Sequence, residues 1–244
     1  MFSQRYCEYG YAKALIFKII GIINCQLLYH SMKVKKHLSL QPLIDGFKQS
    51  FSNHEDTRRK NSVNYSILDT ALSGLACMFY KSGSLVNYQR NMEHKYHQNN
   101  LQTQFGVTST PKDNQMRKII GSISHQQLAP VFSDYLKRLQ RGKHLEKFRF
   151  QDKYLVAIDG TEYYSSDSID CSCCLTQTKR NGDTRYYHKV LQPIICHPDC
   201  KQILPLMPEE IKNTDGTDKQ DCEVAAANRL LPAIRKSHPK MKFI

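Results

Sequence analysis

The chain has 244 residues, 40% hydrophobic and 23% charged, with a formal net charge of +13. This excludes a chain too small or too polar to bury a core, and leaves room for one large or two smaller globular domains. The charge excess is confined to the front: residues 1–150 carry 22 Lys and Arg against 9 Asp and Glu, whereas 151–244 carry 13 against 13. That asymmetry suggests a polyanion-binding front and a neutral back, with a merely solvated basic surface as the plainer alternative. Nine cysteines, an odd number with Cys7, Cys25 and Cys77 scattered, do not make a disulfide framework and fit a reducing compartment.

In chain order, the stretch "ALIFKIIGIINCQLLYH" (14–30) is interrupted by Lys18, Asn24 and Gln26 short of the ~20 apolar residues a span needs. No small-x-small cleavage site follows it, so it reads as a core or interface helix of a cytoplasmic protein. Residues 31–64 mix basic clusters with polar residues and lack sustained periodicity, as a linker or partly ordered basic arm would. In "YSILDTALSGLACMFY", Ile67, Ala71, Leu72, Leu75 and Phe79 recur at helical spacing and predict one buried face.

The next segment offers Asp113 as an N-cap, then Met116, Ile119, Ile120 and Ile123 on one face. A further helix follows with Leu128, Val131, Phe132, Tyr135, Leu136 and Leu139. It runs out through Lys137, Arg138, Arg141 and Lys143, which are candidate DNA contacts. Cations at a helix C-terminus are also favoured by the helix dipole alone.

The pattern then changes to strands: "KYLVAIDG" (153–160), "YYHKVLQPIIC" (186–196) and "KQILPLMP" (201–208). A helix follows, with Ala227, Leu230, Leu231 and Ile234 sharing a face and Pro232 kinking or restarting it. "HPKMKFI" begins another strand. Strand-strand-strand-helix-strand is the opening of a ribonuclease-H-like sheet, in which the helix returns the chain parallel to the first strand. Met241–Ile244 is then expected beside Leu155–Ile158, with Leu155, Ile158, Phe243 and Ile244 in one core. The fold class is therefore α+β: a poorly defined basic region (1–64), a helical DNA-binding-like domain (65–150), and the first part of a ribonuclease-H-like domain (151–244).

Asp159 stands at the tip of the first strand. An Asp before Gly is an ordinary turn signal. Two-metal phosphodiester chemistry, however, needs carboxylates clustered around hard cations, one of them on a rigid strand. The words "AIDGTEYYSS", "CSCC", "NGDTRYYHKVL", "LMPEEI", "DGTDKQDCE" and "AANRLL", with "YSILDTALSGLACMFYKSGSLVNYQ" and "FGVTSTPKDNQMRKII" upstream, resemble in order and spacing DDE transposases of bacterial insertion sequences. The resemblance spans roughly residues 60–244. It implies a helical part that handles the DNA ends of the element, and a ribonuclease-H-like core with an Asp-Asp-Glu triad that holds Mg2+. Asp159 maps onto the first acid, as catalytic residue and metal ligand. The second Asp and the Glu would fall past Ile244, which implies a portion truncated before its chemistry is complete.

Cys171 and Cys174 form a C-x-x-C, with Cys173 inside it and His188, Cys196, His197 and Cys200 downstream. If the first two strands pair antiparallel, Cys196 lies roughly 25 Å from the start of the second strand, at ~3.3 Å per residue. His188 can then join Cys171 and Cys174 in a three-ligand knuckle, whereas Cys196 and Cys200 cannot; reduced cysteines in a hairpin connection are the competing reading. Three functions stay open: a transposase portion, a non-catalytic DNA-binding protein that competes for element ends, and a zinc-stabilised interaction module. An unfinished sheet also leaves a raw edge that favours aggregation or capture of a partner, a second copy included.

Overall fold

The computed structural model describes residues 16, 18, 19, 38–51, 56, 58, 63–123, 125–213 and 220–244. Of the apolar stretch 14–30, all but Ile16, Lys18 and Ile19 lie outside the described residues, as do Cys7 and Cys25. Ile16 and Ile19 are buried. Among the described residues no helix is long and apolar enough to cross a membrane. The chain divides into two compact units, the first ending at Arg138 and the second running from Leu139 to Ile244.

The first unit is helical. Helix α1 (Leu40–Phe51) forms inside the segment expected to be irregular, and buries Leu43, Ile44, Phe47 and Phe51. Its apolar stripe is only two turns long, and the flanking basic clusters dilute it in any longer window. The Tyr135 hydroxyl donates to the Leu43 carbonyl at 2.7 Å, which fixes the helix to its neighbour. Helix α2 (Ile67–Phe79) starts at Ser66, whose hydroxyl accepts from the Asp69 amide, and α3 (Leu85–Met92) starts at Ser84 in the same way. The predicted face of α2 is buried except for Phe79, which is half-buried.

Helix α4 (Lys95–Phe105) stops at Gly106, whose φ of 74° lets its amide close back on Gln102. Helix α5 (Asp113–Ile120) is capped by Lys112, and Asp113 occupies the first turn instead of the cap. The Asp113 amide is satisfied by Gln89 Oε1 at 3.0 Å, so no local side-chain cap is required there. Met116, Ile119, Ile120 and Ile123 are all buried, as are the six apolar positions expected of α6 (His125–Arg141).

The second unit is built on a sheet. After a 3-10 turn at Glu146–Phe148 come β1 (Arg149–Phe150), β2 (Lys153–Ser166), β3 (Leu175–Thr178), β4 (Thr184–His197), β5 (Cys200–Pro205) and β6 (Glu209–Ile211). Strand β4 is central. Its register with β2 runs antiparallel from Leu155 opposite Cys196 to Ser166 opposite Tyr186, with one bulge between Glu162 and Tyr164. Along its other edge β3, β6 and β5 are laid end to end, all antiparallel.

Helix α7 (Glu223–Ser237) contains Pro232 without ending there, and buries Ala226, Leu230 and Ile234. The buried stripe is thus rotated from the expected one: Ala227 is half-buried and Leu231 is 49% exposed. The rotation follows from Arg229, which binds Glu209 Oε1 at 2.7 Å, Asp221 Oδ2 at 2.7 Å and the Glu210 carbonyl at 3.0 Å, and so pins one flank of α7 to β6.

Beyond α7 the chain returns to β2. The Tyr154 amide donates to the Lys242 carbonyl at 2.8 Å, the Ile244 amide to Tyr154 at 2.9 Å and the Val156 amide to Ile244 at 2.9 Å. The pairing is parallel, with Phe243 opposite Tyr154. It falls at 154–156, at the start of the expected 155–158 segment. Leu155, Ile158 and Phe243 are half-buried there and Ile244 is 51% exposed, so this segment is a sheet edge and less a core than expected.

Removing residues 241–244 should cost about 1–2 kcal/mol in urea unfolding and expose the Tyr154 and Val156 amides to fast hydrogen exchange. Unchanged protection of both amides would contradict the pairing. Arg229→Met should cost about 1–2 kcal/mol by losing its charged hydrogen bonds. Burial alone would raise the carboxyl pKa of Asp221, but Arg229 and the amides of Lys212 and Cys222 hold it below its usual value. A depressed folded pKa contributes stability above the unfolded pKa of about 3.9 and loses it as pH falls through the folded value. The stability gap between the native chain and Asp221→Asn should therefore shrink steadily below about pH 4, which acid titration of the two proteins will read.

Candidate functional site

Asp159 lies within β2 and not at its tip, because the strand continues through Gly160 to Ser166. It is exposed, stands opposite Gln192, and its Oδ1 accepts from the Gly160 amide at 2.8 Å. Gly160 ends no strand because its missing side chain makes room: a Cβ there would collide with Glu223 Oε1 and the Lys189 side chain. Lys189 and Glu223 form an ion pair over this position. The hydrogen bond that Lys189 donates to the Glu223 carboxylate raises the Lys189 pKa against the pull of burial, with the charges of Glu223, Tyr187 and Asp159 adding smaller effects.

Gln192 is buried on the central strand. Its Nε2 donates to the carbonyls of Pro193 at 2.7 Å and Leu206 at 3.0 Å, while Oε1 has no partner among the described residues. No second carboxylate joins Asp159 in a group of three ligand side chains among the described residues. Asp159 by itself offers too few oxygen ligands to hold two magnesium ions.

The basic residues expected at the end of α6 divide by environment. Lys137, Arg141 and Lys143 are exposed, and Lys143 sits at a φ of 64° just past the helix. Arg138 is half-buried and its Nε donates to Asp134 Oδ2 at 2.6 Å. One of the four is thus held by a carboxylate one turn earlier.

The tightest chemical cluster is elsewhere in the sheet unit. Cys171 Sγ lies 3.5 Å from Cys174 Sγ, and both sulfurs lie 3.2 Å from His188 Nε2. Neither cysteine is in a disulfide. They are brought together by a tight turn in which the Cys171 amide donates to Cys174 Sγ at 3.2 Å and the Cys174 amide to the Cys171 carbonyl at 3.0 Å. Asn213 Nδ2 donates to the Cys174 carbonyl at 3.2 Å and anchors the turn's far side.

His188 is buried on β4, stacked by Tyr163 at 5.6 Å between ring centroids and flanked by Tyr164 at 5.8 Å. Burial pulls its pKa below the usual histidine range, Glu210 opposes this and Lys212 reinforces it. Cys173 stands outside the group, with its sulfur 3.9 Å from Ser172 Oγ. Cys196 stands opposite Leu155 at the other end of β4, so the register separates it from His188 as strand arithmetic predicts. The two tyrosines are the part sequence reading missed. Their approach to one imidazole depends on the bulge at 163, for which the sequence carries no glycine or proline signal. No family model, characterised protein or solved structure matches the chain.

Proposed function

We propose that the chain carries the helical region and the first part of the ribonuclease-H-like core of a DDE transposase, acting on DNA at the ends of an insertion element. One observation carries this reading beyond the resemblance in sequence: the segment after α7 pairs parallel with β2, the strand that bears Asp159. A crossover helix between antiparallel strands and a parallel return is the order such a core requires. Asp159, exposed on a rigid strand, takes the role of first acid in this reading. Its own contribution is a carboxylate pre-oriented by the Gly160 amide. Lys137, Arg141 and Lys143 offer cations to phosphate, and the surplus of 22 basic over 9 acidic residues in 1–150 supplies the surrounding field.

The test is DNA binding and cleavage by the purified chain. It should bind duplex DNA with an affinity that falls steeply with salt, at a log–log slope of about −0.9 per neutralised phosphate. Replacing Lys137, Arg141 and Lys143 together by alanine should flatten that slope by about 0.9 for every phosphate these cations neutralise. Absence of binding at low salt would overturn the reading. With Mg2+ or Mn2+ the 1–244 chain should neither nick nor join DNA, since Asp159 alone cannot organise two ions. Metal-dependent cleavage that disappears in Asp159→Asn would instead demonstrate a complete catalytic site in these residues.

A further inference from the structure

We propose that Cys171, Cys174 and His188 form a zinc site, with two thiolates and the His188 Nε2 as ligands and solvent at the fourth position. The inference is independent of the transposase reading.

The geometry is close to that of a metal tetrahedron. Zn–S bonds of about 2.3 Å and Zn–N bonds of about 2.0–2.1 Å give ligand-to-ligand edges of roughly 3.5–3.8 Å. The three edges here are 3.5, 3.2 and 3.2 Å, so a few tenths of an ångström of expansion would seat the ion. The arrangement is built from three separate constraints. The C-x-x-C turn closes on itself by two hydrogen bonds and aims one backbone amide at Cys174 Sγ, a donor that favours negative charge on that sulfur. The strand register brings His188 to the same place from β4. Tyr163 and Tyr164 fix the plane of its ring.

Soft sulfur with imidazole in a tetrahedral set selects zinc over the oxygen-seeking magnesium. Cys174 and His188 are buried and Cys171 is half-buried, which leaves an approach on the Cys171 side. The ion would close the connection between β2 and β3 onto the central strand, in a unit where β3 is only four residues long. Binding displaces the two thiol protons into solvent, so metal uptake and proton release are coupled.

The experiment uses the full chain purified under reducing conditions, stripped by chelator and titrated with Zn2+ and, separately, with Co2+. One Zn2+ per chain is expected, with a Co2+ complex that shows a thiolate charge-transfer band and the strong visible absorption of a tetrahedral ion. Cys171→Ser, Cys174→Ser and His188→Asn should each weaken binding at least tenfold, the loss expected even of supporting groups around a metal. His188→Cys should retain binding, and the pair Cys196→Ser with Cys200→Ser should leave it unchanged. Failure of the reduced native chain to take up either ion, with its circular dichroism intact, would overturn the proposal and identify the cluster as thiols hydrogen-bonded to an imidazole. Binding that survives loss of the three ligands but is lost with Cys196 and Cys200 would overturn it equally.

Discussion

The second unit depends on the burial of β4. This strand is covered on both edges, by β2 along most of its length and by β3, β6 and β5 in succession on the other side. Six of its fourteen residues are buried, the polar His188 and Gln192 among them, and Thr184 alone is exposed. A strand with two paired edges has little freedom to slip, because a shift of one residue would break its register with the partners on both sides at once. Its register is therefore the ruler by which the other functional groups are placed. It sets His188 beside the cysteine turn and Asp159 opposite Gln192, and it keeps Cys196 at the far end. Three short partners could not hold such a strand individually; together they complete its hydrogen bonding.

The apolar spacing of the helices was legible because each presents one sustained face to a core. In α2, α5 and α6 nearly every residue expected inside is buried. The parallel return after α7 was legible for a topological reason, as a helix of that length is enough to carry the chain back beside an earlier strand in the same direction. Strands β3 and β6 were not. "LTQT" and "EEI" have no alternation of their own and exist only because β4 offers them an edge. Gly160 was misleading in the same sense. Taken with Asp159 it reads as a turn, whereas the glycine is accommodated within a strand by the Lys189 and Glu223 side chains that fill its place.

The candidate site divides along a similar line. Spacing and strand rise sufficed to exclude Cys196 and to admit His188, since both follow from a linear count along one extended element. What lay beyond the count was everything set by neighbours in three dimensions: the stacking tyrosines, the anchor from Asn213, and the carboxylate that takes up Arg138. The rotated face of α7 belongs here too. Helical periodicity gives two adjacent stripes that differ by one residue, and an arginine bound to three acceptors on β6 and the preceding loop decides between them.

The bulge at Tyr163 has an effect on phase. Without it, Asp159 and Tyr164, odd and even in number, would project from opposite surfaces of β2. With one extra residue inserted, Tyr164 falls opposite His188 while Asp159 falls opposite Gln192, and His188 and Gln192 lie on the same side of β4. The carboxylate and the cysteine-histidine cluster therefore share one surface of the sheet. Along β4 their reference positions are four residues apart, about 13 Å at the rise of an antiparallel strand. The bulge at Tyr163 leaves that relation as it is and brings the ring of Tyr164 onto the same surface, where it meets His188 beside Tyr163.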